Sequence, residues 1–196
     1  MTALKSTAAD DEAALSLYPP LLGHILSGKE FGPFLRSSER PKHEAEWHDL
    51  IRDLARLPPS SEKLAERFHT QWHVCHHYLR ELVGDDDLLI DMLWVWLPRY
   101  QGPDLVLLYR GENIDRFETG RIGTAWSDKQ ETAEMFACGL NAGGGGGVVL
   151  RANVPASAII TGPSWHSSQW LGENEFTLDT RKLVGIEAIV RFSPNH

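Results

Sequence analysis

The stretch Leu171-Gly172-Glu173-Asn174-Glu175-Phe176-Thr177-Leu178 reads as the start of a strand, yet two acids alternate in it. Strand side chains return to the same face every second residue, so Glu173 and Glu175 are expected to share a face with Cα atoms roughly 6.5–7 Å apart. Like charges at that distance raise each other's pKa and cost stability. Such a pair suits a site that flanks a reacting centre, one acid stabilising positive charge while the other orients a nucleophile. It is also what an edge strand with two solvated acids looks like. The neighbouring sequence has to decide.

Working outward, the chain changes character near residue 100. Before it the apolar spacing is helical. Trp47, Leu50, Ile51, Leu54 and Leu57 mark one face of a helix over about Glu44–Leu57, stopped by Pro58-Pro59. Ser60 or Ser61 can cap a second helix, about Glu62–Val83, with Leu64, Phe68, Trp72, Cys75 and Leu79 on one side and Gly84 at its end. Asp85-Asp86-Asp87 opens a third, Leu88–Trp96, closed by Pro98, and short helices are expected around Leu15–Leu26 and Phe31–Leu35. After Pro103 the pattern is β-like: Leu105–Arg110, Gly123–Ser127, Val148–Val154, Ala158–Thr161, Glu173–Leu178 and Ile186–Phe192. Among these only Asp128–Ala137 reads as a helix, which Ser127 or Asp128 could cap. The expectation is an α+β chain, with a helical subdomain over residues 1–102 and a β-rich core over residues 103–196. The glycine run Gly143–Gly147 lacks the Lys-Ser/Thr of a P-loop and the spacing of a dinucleotide fingerprint, and reads as a flexible connection.

Bulk properties bound the partners. A net charge of −8 over 196 residues argues against a nucleic-acid backbone or an anionic membrane as main partner. Cys75 and Cys138 stand far apart and make no disulfide framework, so a reducing compartment is expected. The first twenty residues carry no apolar signal region, and the longest apolar run, Leu88–Leu97, is interrupted by Asp91 and too short to span a bilayer. A cytoplasmic protein is expected, or one delivered by a route that no signal peptide encodes.

Two further groups carry chemistry. Tyr109-Arg110-Gly111 ends a buried-strand run on one guanidinium, whose planar fork suits phosphate or carboxylate, and Gly111 permits close approach. An arginine simply meeting water at a strand end fits equally. Gly123-Thr124-Ala125-Trp126-Ser127 gives hydroxyls and an aromatic wall ahead of a helix bearing Phe136. Taken in order, Tyr109-Arg110-Gly111, Ala125-Trp126-Ser127 and Glu173-Asn174-Glu175 resemble the arginine-type branch of the ADP-ribosyltransferase family, over roughly residues 103–192. The first hundred residues lie outside the resemblance, and position 125 is alanine where the family's middle motif usually begins with serine.

The resemblance implies a core of two packed sheets and NAD⁺ as substrate, with no metal. Glu175 would stabilise the oxocarbenium-like state and Glu173 would orient an incoming guanidinium. Arg110 would hold the phosphates, with Tyr109, Gly111 and Ser127 supporting and Trp126 or Phe136 walling the nicotinamide. Trp165, Gln169 and Trp170, in the turn before the acids, would contact a protein substrate; two tryptophans in a polar loop fit a recognition surface, and both rings packed onto the domain is the plain alternative. The helical half could recognise the target or an inhibitor. The alternatives are an NAD⁺ glycohydrolase with the same site, a non-catalytic binding module for which Ala125 is the main hint, and a zinc-dependent hydrolase. The last draws on His69, His73, His76 and His77 with Cys75, three of whose imidazoles can share a helix face.

Overall fold

The computed structural model describes residues 19–35 and 47–195, so the expected helix starts at Leu15 and Glu44 lie outside the described residues. The chain divides into two compact units, Met1–Leu97 and Pro98–His196, where the sequence places the change of character at residue 103.

The first unit is helical: α1 (Pro19–Leu26), α2 (Gly32–Leu35), α3 (Trp47–Leu54), α4 (Glu62–Val83) and α5 (Asp86–Trp96). Their ends follow side-chain chemistry. The Ser61 hydroxyl accepts the Leu64 N–H at 3.2 Å and the Asp85 carboxylate accepts the Leu88 N–H at 3.0 Å, each satisfying an orphan donor of a first turn. Gly84 ends α4 in the left-handed region at φ 65°, where a side chain would be strained. Phe68 centres the core, its ring 5.0 Å from that of Trp96, 5.8 Å from Phe31 and 6.5 Å from Trp72. Trp96 closes the packing by donating its indole N–H to the Leu54 carbonyl at 2.9 Å.

The second unit contains β1 (Leu105–Asn113), α6 (Ile114–Glu118), β2 (Ala125–Ser127), α7 (Gln130–Cys138), β3 (Gly147–Pro155), β4 (Ile159–Thr161), β5 (Glu175–Leu178) and β6 (Glu187–Phe192). The strands form one six-stranded antiparallel sheet in the order β4-β5-β2-β1-β3-β6. Two packed sheets were expected; the described strands form one, because the three-residue β2 pairs on both sides. It meets β1 through Tyr109↔Ser127 and β5 through Ala125↔Thr177, Trp126↔Phe176 and Ser127↔Glu175. The sheet nevertheless curls. β3 and β4 stand four strands apart, about 19 Å in a flat sheet. The chain crosses from Pro155 to Ile159, a reach of at most about 14 Å. The concave face collects Leu108, Val148, Leu150, Ala152, Val154, Trp126, Phe176, Ile159 and Leu178 into one core.

The opposite face carries α7, whose Ala133 and Ala137 pack with Val149, Tyr109, Val190 and Phe192. Gly111 sits beneath this helix, and a Cβ there would run into the Ala133 carbonyl and the Ala137 N–H. Helix packing alone therefore calls for glycine. The glycine run is pinned, in contrast to the flexible connection expected. The Asn113 amide donates to the carbonyls of Gly143 at 2.6 Å, Asn141 at 3.2 Å and Gly146 at 3.3 Å, and the Asp115 carboxylate accepts the Gly145 N–H at 2.9 Å. A Cβ on Gly147 would overlap the Ala137 carbonyl. Position 147 is glycine because strand and helix backbones touch there, and Gly146 stands at φ 102°.

Gly111→Ala is expected to destabilise the β-rich unit by about 1–3 kcal/mol through overpacking under α7, read as a lowered urea midpoint. An unchanged midpoint would show that the helix is free to lift.

Candidate active site

Glu175 opens β5 directly opposite Ser127, which stands directly opposite Tyr109 on β1. Directly paired residues of an antiparallel ladder share a face, so Tyr109, Ser127 and Glu175 form one row across three strands. Glu175 is buried, 7% exposed. Burial, the charge of Glu173 in addition, and only partial relief from Arg110 push its carboxyl up to about 8. It therefore carries its proton at neutral pH.

Glu173 does not extend the strand as expected. Pairing with β2 begins at Glu175, and Asn174 stands at φ 48°, a left-handed conformation that breaks the alternation. Asparagine tolerates that geometry, and its amide reaches the Asp128 carboxylate at 3.2 Å. Glu173 thus approaches from a turn, half-buried. Burial raises its carboxyl and His166 opposes that rise. Repulsion between the acids is relieved because Glu175 stays neutral.

Arg110 projects from the face opposite Tyr109, and its guanidinium is largely enclosed, 11% exposed. Its Nε donates to Glu112 Oε2 at 2.8 Å and its Nη1 to the Ala125 carbonyl. Glu112, fully buried and not singled out by sequence, is the hub of this arrangement. It accepts the Gly123 N–H at 2.9 Å and the Asn113 N–H at 3.0 Å, with Arg116 Nε 3.6 Å away. Burial works to raise its carboxyl, but Arg110 and the two backbone N–H groups outweigh that and hold it below the ordinary carboxylate range. The sequence signal was available: an acid two residues after an arginine on a strand shares its face.

The other expected residues fall in three places. Ser127 donates its hydroxyl to the Glu173 carbonyl at 2.6 Å and accepts the Lys129 N–H at 3.0 Å; the N-cap position of α7 is Lys129, with no side-chain cap. Trp126 is 2% exposed, part of the concave core, its indole N–H on the Gly123 carbonyl at 3.0 Å. Phe136 packs its Cβ near Gly111 on the helix side. Trp165 and Trp170 are 73% and 74% exposed, the first just before and the second within a π-helical turn over His166–Leu171, with Gln169 exposed between them. Ser167 lies wholly buried beneath them and accepts the Glu175 N–H at 2.7 Å, a contact that sequence reading missed.

In the helical unit the rings of His69 and His73 meet edge to face at 4.4 Å and both side chains are buried. Burial pushes His69 down to about 4, so it stays neutral. Cys75 is buried, and among the described residues no three His, Cys, Asp or Glu side chains are placed to hold a metal ion. No described helix is long and apolar enough to cross a membrane.

Comparison with protein-family models, curated proteins and solved structures finds no match. The functional reading therefore rests on the side chains themselves.

The folded chain binds an extra proton at Glu175 between the ordinary carboxylate pKa of 4.5 and about 8, so folding stability from this group falls as pH rises through that window. Glu175→Gln cannot titrate and is expected to gain on the wild type from pH 5 to pH 9, by a few kcal/mol at most. Thermal melts across that range check it; a constant difference would mean Glu175 titrates normally.

Proposed function

We propose that this chain is a mono-ADP-ribosyltransferase that cleaves NAD⁺ and passes ADP-ribose to a protein side chain, arginine by the form of its acid pair. The observation that supports it is that three separate sequence pieces act on one carboxyl: Glu175 is buried opposite Ser127, Glu173 stands close enough to raise its pKa, and Arg110, from the other face of the sheet, close enough to lower it.

In this reading the bond between nicotinamide and ribose breaks with its electron pair leaving on nicotinamide, and C1′ becomes oxocarbenium-like. Deprotonated Glu175 faces that developing charge in a site shielded from water, where such stabilisation is strongest. The acceptor nitrogen then attacks C1′ and loses a proton, with Glu173 orienting it. Arg110 has Nε and Nη1 engaged and offers Nη2 to a phosphate oxygen. Its pairing with buried Glu112 fixes the fork before the ligand arrives. Trp165 and Trp170 supply exposed area for a protein substrate beside Glu173. A chain of this kind fits an effector or toxin acting inside a target cell.

Glu175 has to lose its proton for this role. Approach of the cationic nicotinamide favours that loss, and so does rising pH. For the free enzyme, kcat/KM for NAD⁺ is expected to rise about tenfold per pH unit below roughly pH 8 and level off above it. A profile flat from pH 6 to pH 9 would assign the acid role elsewhere.

The deciding experiment incubates purified protein with labelled NAD⁺, alone and with a cell lysate. Wild type is expected to label a lysate protein, and Glu175→Gln to lose both labelling and nicotinamide release by at least about 100-fold. Glu173→Gln is expected to lose labelling while retaining hydrolysis. Nicotinamide release without labelling by the wild type would indicate a glycohydrolase. Absence of both turnover and calorimetric NAD⁺ binding would leave a binding module.

A further inference from the structure

We propose that Ser167 is the positioning residue of the acid site, fastening the tryptophan-bearing turn over residues 164–172 to the backbone of Glu175 so that turn and acid move as one body. What Glu175 does chemically rests on the function proposed above; how it is held does not.

Every polar group of Ser167 is engaged at this junction. Its N–H donates to the Ser164 hydroxyl at 3.1 Å. Its hydroxyl accepts the Glu175 N–H at 2.7 Å. Its carbonyl accepts the N–H groups of Gly172 and, at 3.0 Å, of Glu173. One buried serine therefore touches the backbone of both acids.

The strand pairing explains why a side chain is needed there. β4 pairs with β5 at Ile159↔Leu178 and Thr161↔Thr177, and at Glu175 no β4 residue stands opposite. A backbone N–H buried at that point needs an acceptor, and the Ser167 hydroxyl supplies it. The wide π-helical turn makes this reach possible. It ends on Gly172 at φ 71°, a left-handed residue that lets the chain double back toward β5. Two outer bonds brace the same junction: Ser127 holds the Glu173 carbonyl, and Lys129 Nζ donates to the Gly172 carbonyl at 2.7 Å.

Ser167 is wholly buried while Trp165 and Trp170, on either side of it, are about three-quarters exposed. A partner that presses on either indole presses through Ser167 on the Glu175 backbone. Misplacing an acid by about 1 Å is enough to lower turnover by about 100-fold, so the anchor bears on rate more than on ligand affinity.

The test uses full-length wild type, Ser167→Ala and Ser164→Ala, each read in two ways. The first is ¹³C-NMR titration of the Glu175 side-chain carboxyl, without NAD⁺. The second is steady-state NAD⁺ turnover, with far-UV melting as the control for folding. Ser167→Ala is expected to lower the Glu175 midpoint toward the ordinary carboxylate range as the loosened site admits water. It is also expected to lower kcat by at least about tenfold while KM for NAD⁺ changes by less than about threefold. Ser164→Ala, one bond further out, is expected to shift both in the same direction by less. A folded Ser167→Ala with wild-type midpoint and wild-type turnover overturns the proposal. If the wild type turns over no NAD⁺, the functional reading fails, and the titration alone then upholds or overturns the anchor. If Ser167→Ala does not fold, Ser164→Ala decides: wild-type midpoint and turnover in that variant overturn the proposal.

Discussion

The double pairing of β2 is the constraint on which the β-rich unit depends. Its three residues reach β1 at one position and β5 at three, so a strand of minimal length joins both parts of a curled sheet. One side chain from each of β1, β2 and β5 is thereby set in a single row, Tyr109, Ser127 and Glu175. The same narrow bridge lets Arg110, from the other face, put Nη1 on the Ala125 carbonyl while its charge still acts on Glu175.

Two buried acids in this unit show opposite electrostatic solutions. Glu112 is ionised in the interior because Arg110 and two backbone N–H groups outweigh the cost of burial, and Arg110 is the partner whose removal would cost it most. Glu175 keeps its proton chiefly because it is buried, and further because its neighbour is negative while the nearby cation is committed to Glu112. The difference divides their work. Glu112 holds the loop before β2 against β1 through the Gly123 N–H, and Glu175 remains a group whose charge can change. Arg110 lies between them, and its pairing with one weakens its hold on the other.

Much of this was legible in the residues. The helix boundaries at Ser61, Gly84 and Asp85 follow from caps, which are local and need no tertiary knowledge. The strands at Leu105, Gly147 and Glu187 follow from apolar runs, and the α+β arrangement from their order. What did not follow depends on pairing partners distant in sequence. The single sheet hinges on one bridge, Tyr109↔Ser127, invisible to periodicity. The break at Asn174 overrode the alternation of Glu173 and Glu175: its left-handed conformation is accompanied by a bond to Asp128, forty-six residues away in the chain. Glycines misled in a consistent way. Gly111 and Gly147 read as room for a ligand or for motion, and both are instead points where α7 presses on a strand. Ser167 was lost among neighbouring serines, since only burial distinguishes it from Ser168.

The surrounding structure also accounts for why an acid pair persists where pairing rules disfavour it. A lone buried carboxyl with an ordinary pKa would be ionised at neutral pH and would need a permanent counter-ion, which would then occupy the place of any cationic ligand. At Glu175 burial itself removes that need by raising the carboxyl, and the charge of Glu173 adds to the rise. Glu175 can then be uncharged at neutral pH and ionise when its surroundings favour the charge. Such an arrangement demands that the backbone of Glu175 not relax when its carboxyl gains charge. The β2 ladder on one side and the Ser167 hydroxyl on the other meet that demand from two directions.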